Sequence, residues 1–190
     1  GIIIFLLAFL YLFGSLIWHL TKANLTKRAA IFGLILAFSL ITQYKEWPTI
    51  TYANPNIRWW FNVEYFYFLL LLIPATYIGD LLQKRIKEGI QIFTPDNKSG
   101  AVALATLSLG LVVWMTFAFY MQLYWWNLAL SGIILWGIWK IAAKHFPAYV
   151  PIVQMAAYLI IAGEIIEPYG GGIKKVPCTI QYCLATCGIA

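Results

Sequence analysis

"AVALATLSLGLVVWMTFAFYM", residues 101 to 121, is the stretch whose reading decides the fold. It carries no charge from end to end. A helix of about 20 residues rises roughly 30 Å, the thickness of the hydrocarbon core of a bilayer, so the stretch is long enough to cross one. Similar runs lie on both sides. "IIIFLLAFLYLFGSLIWHL" (2 to 20), "AAIFGLILAFSLITQY" (29 to 44) and "YFYFLLLLIPATYIGDLLQK" (65 to 84) precede it, and the stretches from Leu128 to Ala143 and from Pro151 to Ile166 follow. A further apolar run begins at the cysteines near residue 178 and reaches Ala190. The expected fold is all-α: a polytopic transmembrane helix bundle of six spans with the start of a seventh, forming a single domain over residues 1–190. Because Gly1 and Ala190 both fall inside apolar runs, the chain reads as a fragment of a longer one.

Composition points the same way. Hydrophobic residues make up 62% and charged residues 11%, and the mean hydropathy is +0.78, so the first partner of this chain is the lipid bilayer. The net charge of +6 does not form the single basic stripe that nucleic acid requires. Its basic residues sit between the apolar runs, in the manner of membrane-protein loops. Nine of them fall in the linkers after spans one, three and five, and four in the alternate linkers. By the excess of positive charge on the inner side, linkers 21–28, 85–100 and 144–150 are expected to be cytoplasmic. Asn24 and Asn97, which open N-x-S/T triplets, then lie inside and escape glycosylation. "QLYWWN" is short enough to make spans four and five a tight helical hairpin.

Ionisable residues near the membrane supply the candidate chemistry. Glu164 and Glu167 are three apart, on one face at the outer end of span six, where a carboxylate is costly unless paired, protonated or open to a cavity. They are the candidate catalytic acid and base. Beyond them "EPYGGGIKKVPCTIQYC" (167 to 183) turns the chain through glycines beside two cations. Gly171, Gly172, Lys174 and Lys175 are therefore candidate substrate-binding residues, the glycines for the bend and the lysines for an anionic group. The alternative is an ion-pair cluster that closes the end of the bundle. In the loop between spans two and three, Arg58, Trp59 and Trp60 are either an aromatic belt at the lipid headgroups or a lid whose rings stack on a sugar.

Asp80 is expected to pair with Lys84 or Arg85 on its own helix. Pro74 should kink span three unless neighbours satisfy the carbonyl it frees. His19 and His145 read as interface histidines. Cys178, Cys183 and Cys187 have the spacing C-x4-C-x3-C, which matches no zinc, haem or redox pattern. They read as small residues at a packed interface, and no metal is assigned.

Two stretches carry a resemblance. The pattern E-P-F-E-G-G-I-K-K-D-P-x-T-x-S-Y belongs to the bacterial relatives of heparan-alpha-glucosaminide N-acetyltransferase. The segment from Glu167 to Tyr182 resembles it through Glu167, Pro168, Gly171, Gly172, Ile173, Lys174, Lys175, Pro177, Thr179 and Tyr182, with Gly170 and Val176 where the pattern has acids. "LLLLIPATYIGDLL" looks like the I-P-G-T-I-x-G-D-L-L helix of the same family. The resemblance implies the C-terminal half of a multi-pass acyltransferase, in a bacterial inner membrane. It also implies acetyl-coenzyme A as the donor on the cytoplasmic side and a sugar or glycan acceptor on the other. The loop from Lys84 to Gly100 is a weak candidate for holding the donor's phosphates. Such an enzyme stands alone or as a homo-oligomer of the same chain; two other readings are a non-catalytic subunit in a larger membrane complex and a transporter, for which Pro74 is the only broken-helix sign.

Overall fold

In a computed structural model of the chain, residues 2–22, 24–44, 64–89, 98–174 and 178–190 are described, and every regular element among them is a helix. α1 spans Ile2–Thr21, α2 Leu25–Tyr44, α3 Glu64–Lys87, α4 Lys98–Tyr120 and α5 Tyr124–His145. A short 3-10 turn, Pro147–Tyr149, leads into α6, Val150–Ile166, and α7 is Ile180–Ile189. The first six are each apolar and long enough to cross a membrane. The protein is therefore a multi-pass, all-α membrane bundle, as expected from the uncharged runs.

Local chemistry sets the helix ends, and it moves some of them. α2 starts at Leu25 rather than Ala29, because the side-chain oxygen of Asn24 accepts from the Lys27 amide at 3.2 Å and satisfies an orphan donor of the first turn. Lys27 and Arg28 thus belong to the helix and not to a loop. α5 begins at Tyr124, only three residues after α4, with Gln122 in a left-handed conformation (φ 54°) at the turn. The hairpin is even tighter than expected, and it takes Trp125, Trp126 and Asn127 into α5.

α3 runs through Pro74 without a break. Proline removes one backbone donor and crowds the preceding turn, so nearby carbonyls need other partners. The Thr76 hydroxyl donates to the Ile73 carbonyl at 2.7 Å, and the Cys187 thiol of α7 donates to the Leu71 carbonyl at 3.7 Å.

The bundle is organised around α7. One core cluster joins α3, α6 and α7 through Tyr67, Leu70, Leu159, Cys183 and Leu184, with Phe32 and Leu36 of α2 packed against it. A second joins α4, α5, α6 and α7 through Leu111, Met115, Leu135, Ile160 and Ala185. Large apolar residues such as Leu7, Leu34, Leu109 and Trp136 point outward, where lipid replaces water. In that solvent, close backbone packing matters more than apolar burial.

α6 and α7 run antiparallel and meet through small residues. A methyl group on Gly188 would stand 2.6 Å from Cγ1 of Ile160 and 2.9 Å from the Ala156 carbonyl oxygen. On Gly163 it would press on the backbone of Gln181 and Ala185 at 3.2 Å. Gly188→Ala is therefore expected to destabilise the bundle by about 1–3 kcal/mol through overpacking. Gly132→Ala, where nothing lies within 4 Å, is the matched control. Thermal unfolding in detergent compares the two, and equal melting temperatures would mean that α6 and α7 do not pack this closely.

Candidate functional site

The glycine segment forms the turn from α6 into α7, and two glutamines hold it. Gly171 and Gly172 have φ of 72° and 86°, a region that side-chain-bearing residues avoid. The Gln181 carboxamide fills the inside of the turn, donating to the Gly170 carbonyl at 3.0 Å and to the Gly172 carbonyl at 2.6 Å. A side chain at position 170 would stand 2.5 Å from Nε2 of Gln181, so an acid there requires the Gln181 carboxamide to move out of the turn. Gln43, at the end of α2, donates to the Gly170 carbonyl at 3.4 Å and accepts from the first amide of α7, that of Ile180, at 3.3 Å. One side chain thereby caps α7 and ties it to α2.

Beneath this turn lies a group of buried polar side chains. Glu164 and Glu167 are each 2% exposed. The Ser131 hydroxyl of α5 donates to Oε2 of Glu164 at 2.6 Å, a short charge-assisted bond. Asn127 lies one helical turn from Ser131 on the same face of α5 and is also buried. Among the described residues, Oε1 of Glu164, Oε1 of Gln181 and both polar atoms of the Asn127 side chain have no hydrogen-bond partner.

An unpaired buried polar group costs about 1–3 kcal/mol. Several of them gathered at one end of a bundle are hard to explain as packing and suit a place that receives a polar guest. Glu167 stands one residue past the α6 span. Burial, and after it the charge of Glu164, pushes its carboxyl up to about 7. A group balanced near neutrality can both give and take a proton.

Lys174 follows the turn and is exposed. Among the described residues it forms no ion pair with Glu164 or Glu167. Its backbone is fixed instead by Thr179, whose amide and hydroxyl donate to the Lys174 carbonyl at 3.1 and 3.3 Å. The lysine is thus held at the rim of the turn with its side chain exposed. Lys175, Arg58, Trp59 and Trp60 lie outside the described residues. The structure brings Glu164, Glu167, Gly171 and Gly172 together, and it adds Asn127, Ser131, Gln181 and Gln43 to them. A signal for the additions exists in the sequence: Asn127 and Ser131 are four apart, the spacing that puts polar residues on one face of a helix.

A second polar cluster lies at the opposite end, where α1, α2 and α3 meet. The expected pairing of Asp80 with Lys84 or Arg85 is not what forms. Oδ2 of Asp80 is 2.7 Å from Nη2 of Arg28, and the Trp18 indole donates to Oδ1 at 2.9 Å. Lys84 lies 3.9 Å from Glu88 instead. Asp80 faces across the bundle because the buried guanidinium of Arg28, which also donates to the Thr21 hydroxyl at 3.2 Å, needs a counter-charge more than an exposed lysine does.

Among the described cysteines, Sγ of Cys178 and Sγ of Cys183 lie 3.0 Å apart. Comparison with protein-family models, with curated proteins and with solved structures finds no match.

Proposed function

We propose that this chain is the membrane-spanning part of an acyltransferase that passes an acetyl group from acetyl-coenzyme A to a hydroxyl or amine of a sugar, at the end of the bundle where α6 turns into α7. The observation that carries this reading is the buried Glu164 carboxylate, oriented by Ser131 and with one oxygen unpartnered beneath a glycine turn. In such a reaction the acceptor oxygen or nitrogen attacks the thioester carbonyl, its proton passes to a carboxylate, the carbon–sulfur bond breaks, and the departing thiolate takes up a proton. Glu164 would accept the acceptor's proton, and Glu167 would exchange it with the outside. The basic residues at the other end, among them Lys22, Lys27, Lys84 and Arg85, support a cytoplasmic position for that end. The resemblance of the segment from Glu167 to Tyr182 to the acetyltransferase family supports the same reading.

The test is incubation of the full-length protein in bilayer discs with labelled acetyl-coenzyme A and a glucosamine acceptor. Transfer of label supports the reading, and a folded protein that transfers none removes it. Within that assay, Lys174→Ala with Lys175→Ala is expected to raise KM for an acidic acceptor roughly tenfold, the scale of a lost charged hydrogen bond, with little change in kcat. An unchanged KM takes both lysines out of the site.

One observation favours a second reading, a non-catalytic subunit of a larger membrane assembly. Gly33, Gly79, Gly110 and Gly132 lie on four different helices, and a methyl group on any of them would meet nothing within 4 Å. Small residues on outer faces are where membrane helices dock. Native mass spectrometry of gently extracted protein distinguishes the two. The chain alone, or with copies of itself, favours the enzyme; the chain in fixed stoichiometry with different proteins favours the subunit.

A further inference from the structure

Three cavities converge where α1, α2 and α3 come together. A basic pocket of about 370 Å³ is lined by Thr21, Lys22, Arg28, Tyr77, Asp80 and Lys84. On one side of α3 a groove of about 880 Å³ runs between α1 and α3, past Leu7, Gly14, Leu72 and Gly79, and reaches the pocket at Asp80. On the other side a second groove, of about 300 Å³, passes Phe32, Ile73, Pro74 and Met155 and reaches the pocket at Arg28 and Tyr77. Both grooves are lined mainly by apolar side chains.

The charges in the pocket are unequal in kind. Arg28 and Asp80 are used up by each other and by Thr21 and Trp18. Lys22 is exposed and lies over the Trp18 ring, 4.8 Å from its centroid. Lys84 is exposed, with only the distant Glu88 contact. The pocket thus presents two exposed ammonium groups, each held only by a weak contact, Lys22 over Trp18 and Lys84 beside Glu88. The first turn of α2 also opens here, with its positive dipole end.

We propose that this end of the bundle binds one anionic phospholipid, with its headgroup phosphate between Lys22 and Lys84 and its two acyl chains in the grooves on either side of α3. A soluble anion would use the pocket and leave the grooves without a role, whereas a neutral lipid would use the grooves and leave the cations without one. Only an amphiphile with a negative head and two tails matches all three spaces at once. The inference does not depend on the acyltransferase reading.

The experiment reconstitutes the full chain in nanodiscs holding equal amounts of phosphatidylglycerol and phosphatidylcholine with the same acyl chains. It then counts the lipids retained by native mass spectrometry. Two lysines near a membrane surface correspond to a preference of roughly 30-fold for the anionic lipid. Lys22→Gln with Lys84→Gln is expected to abolish the preference while leaving the melting temperature unchanged, since both side chains are exposed. Gly79→Leu, which extends into the larger groove, is expected to lower retention with the lysines intact.

Equal retention of the two lipids, or a preference that survives the double substitution, overturns the proposal. So does glycerol 3-phosphate if it protects against thermal unfolding as well as the lipid does, because the site is then one for free phosphate. Displacement of the lipid by coenzyme A overturns it in another way, by making the pocket the donor's.

Discussion

Asp80→Leu is expected to lower the stability of the bundle by about 3–4 kcal/mol, as expected when a buried charge loses its partner. The Arg28 side chain is 5% exposed and that of Asp80 32%, so the guanidinium has little water to turn to once the carboxylate is gone. The Trp18 indole loses its acceptor in the same step. The damage falls where the end of α1, the start of α2 and the last turns of α3 are joined. It should therefore loosen all three helices together and not only fray one.

The double variant Arg28→Met with Asp80→Leu removes the orphaned charge and fills similar volume. It is expected to recover most of the loss, because a paired set of charges away from water is often replaceable by apolar residues at little cost. Unfolding of the parent, Asp80→Leu, Arg28→Met and the double variant in mixed micelles gives the coupling energy directly. If all of them unfold within about 0.5 kcal/mol of one another, the range of ordinary surface substitutions, the pair does not hold these helices.

That pair also marks where sequence reading reaches its limit. The spans were legible because an uncharged run the width of a bilayer has few alternatives, and the bend at Gly171 and Gly172 because glycine is the residue for positive φ. The rule for neighbours about one turn apart on a helix pairs Asp80 with Lys84 or Arg85. That rule sees only one helix, whereas the actual partner is 52 residues away on another. Arg28 itself reads as a loop cation when the helix is taken to start with the apolar run at Ala29, whereas the Asn24 cap starts α2 four residues earlier.

The polar group beneath the turn was half legible for a similar reason. Glu164 and Glu167 stand out in an apolar run because carboxylates are rare there. Asn127 did not, because the bulky Trp125 and Trp126 beside it suggested an interfacial loop, while the structure makes all three the first turn of a helix. Gln43 and Gln181 are neutral and draw no notice one at a time. Their meaning lies in meeting at Gly170, a contact that tertiary packing alone produces.

The strongest consequence for function falls on Glu164. In the acyltransferase reading, Glu164→Gln is expected to lower kcat for acetyl transfer by a factor of about 10²–10⁴, the usual contribution of a positioned general base. KM for the acceptor should change little. The substitution suits the question because glutamine has the same shape and its carbonyl oxygen can still accept from Ser131, so packing and the α5–α6 link are kept while the ability to take a proton is lost. Ser131→Ala removes the hydrogen bond and leaves the carboxylate. It should give a smaller loss, through misorientation of the base. A Gln variant that melts with the parent protein and transfers at the parental rate would end the role of Glu164 as a base. A variant that fails to fold would show instead that the carboxylate is needed to build the bundle. Ser131→Ala then becomes the deciding protein: a rate loss without a change in melting temperature keeps the site on Glu164, and an unchanged rate removes it.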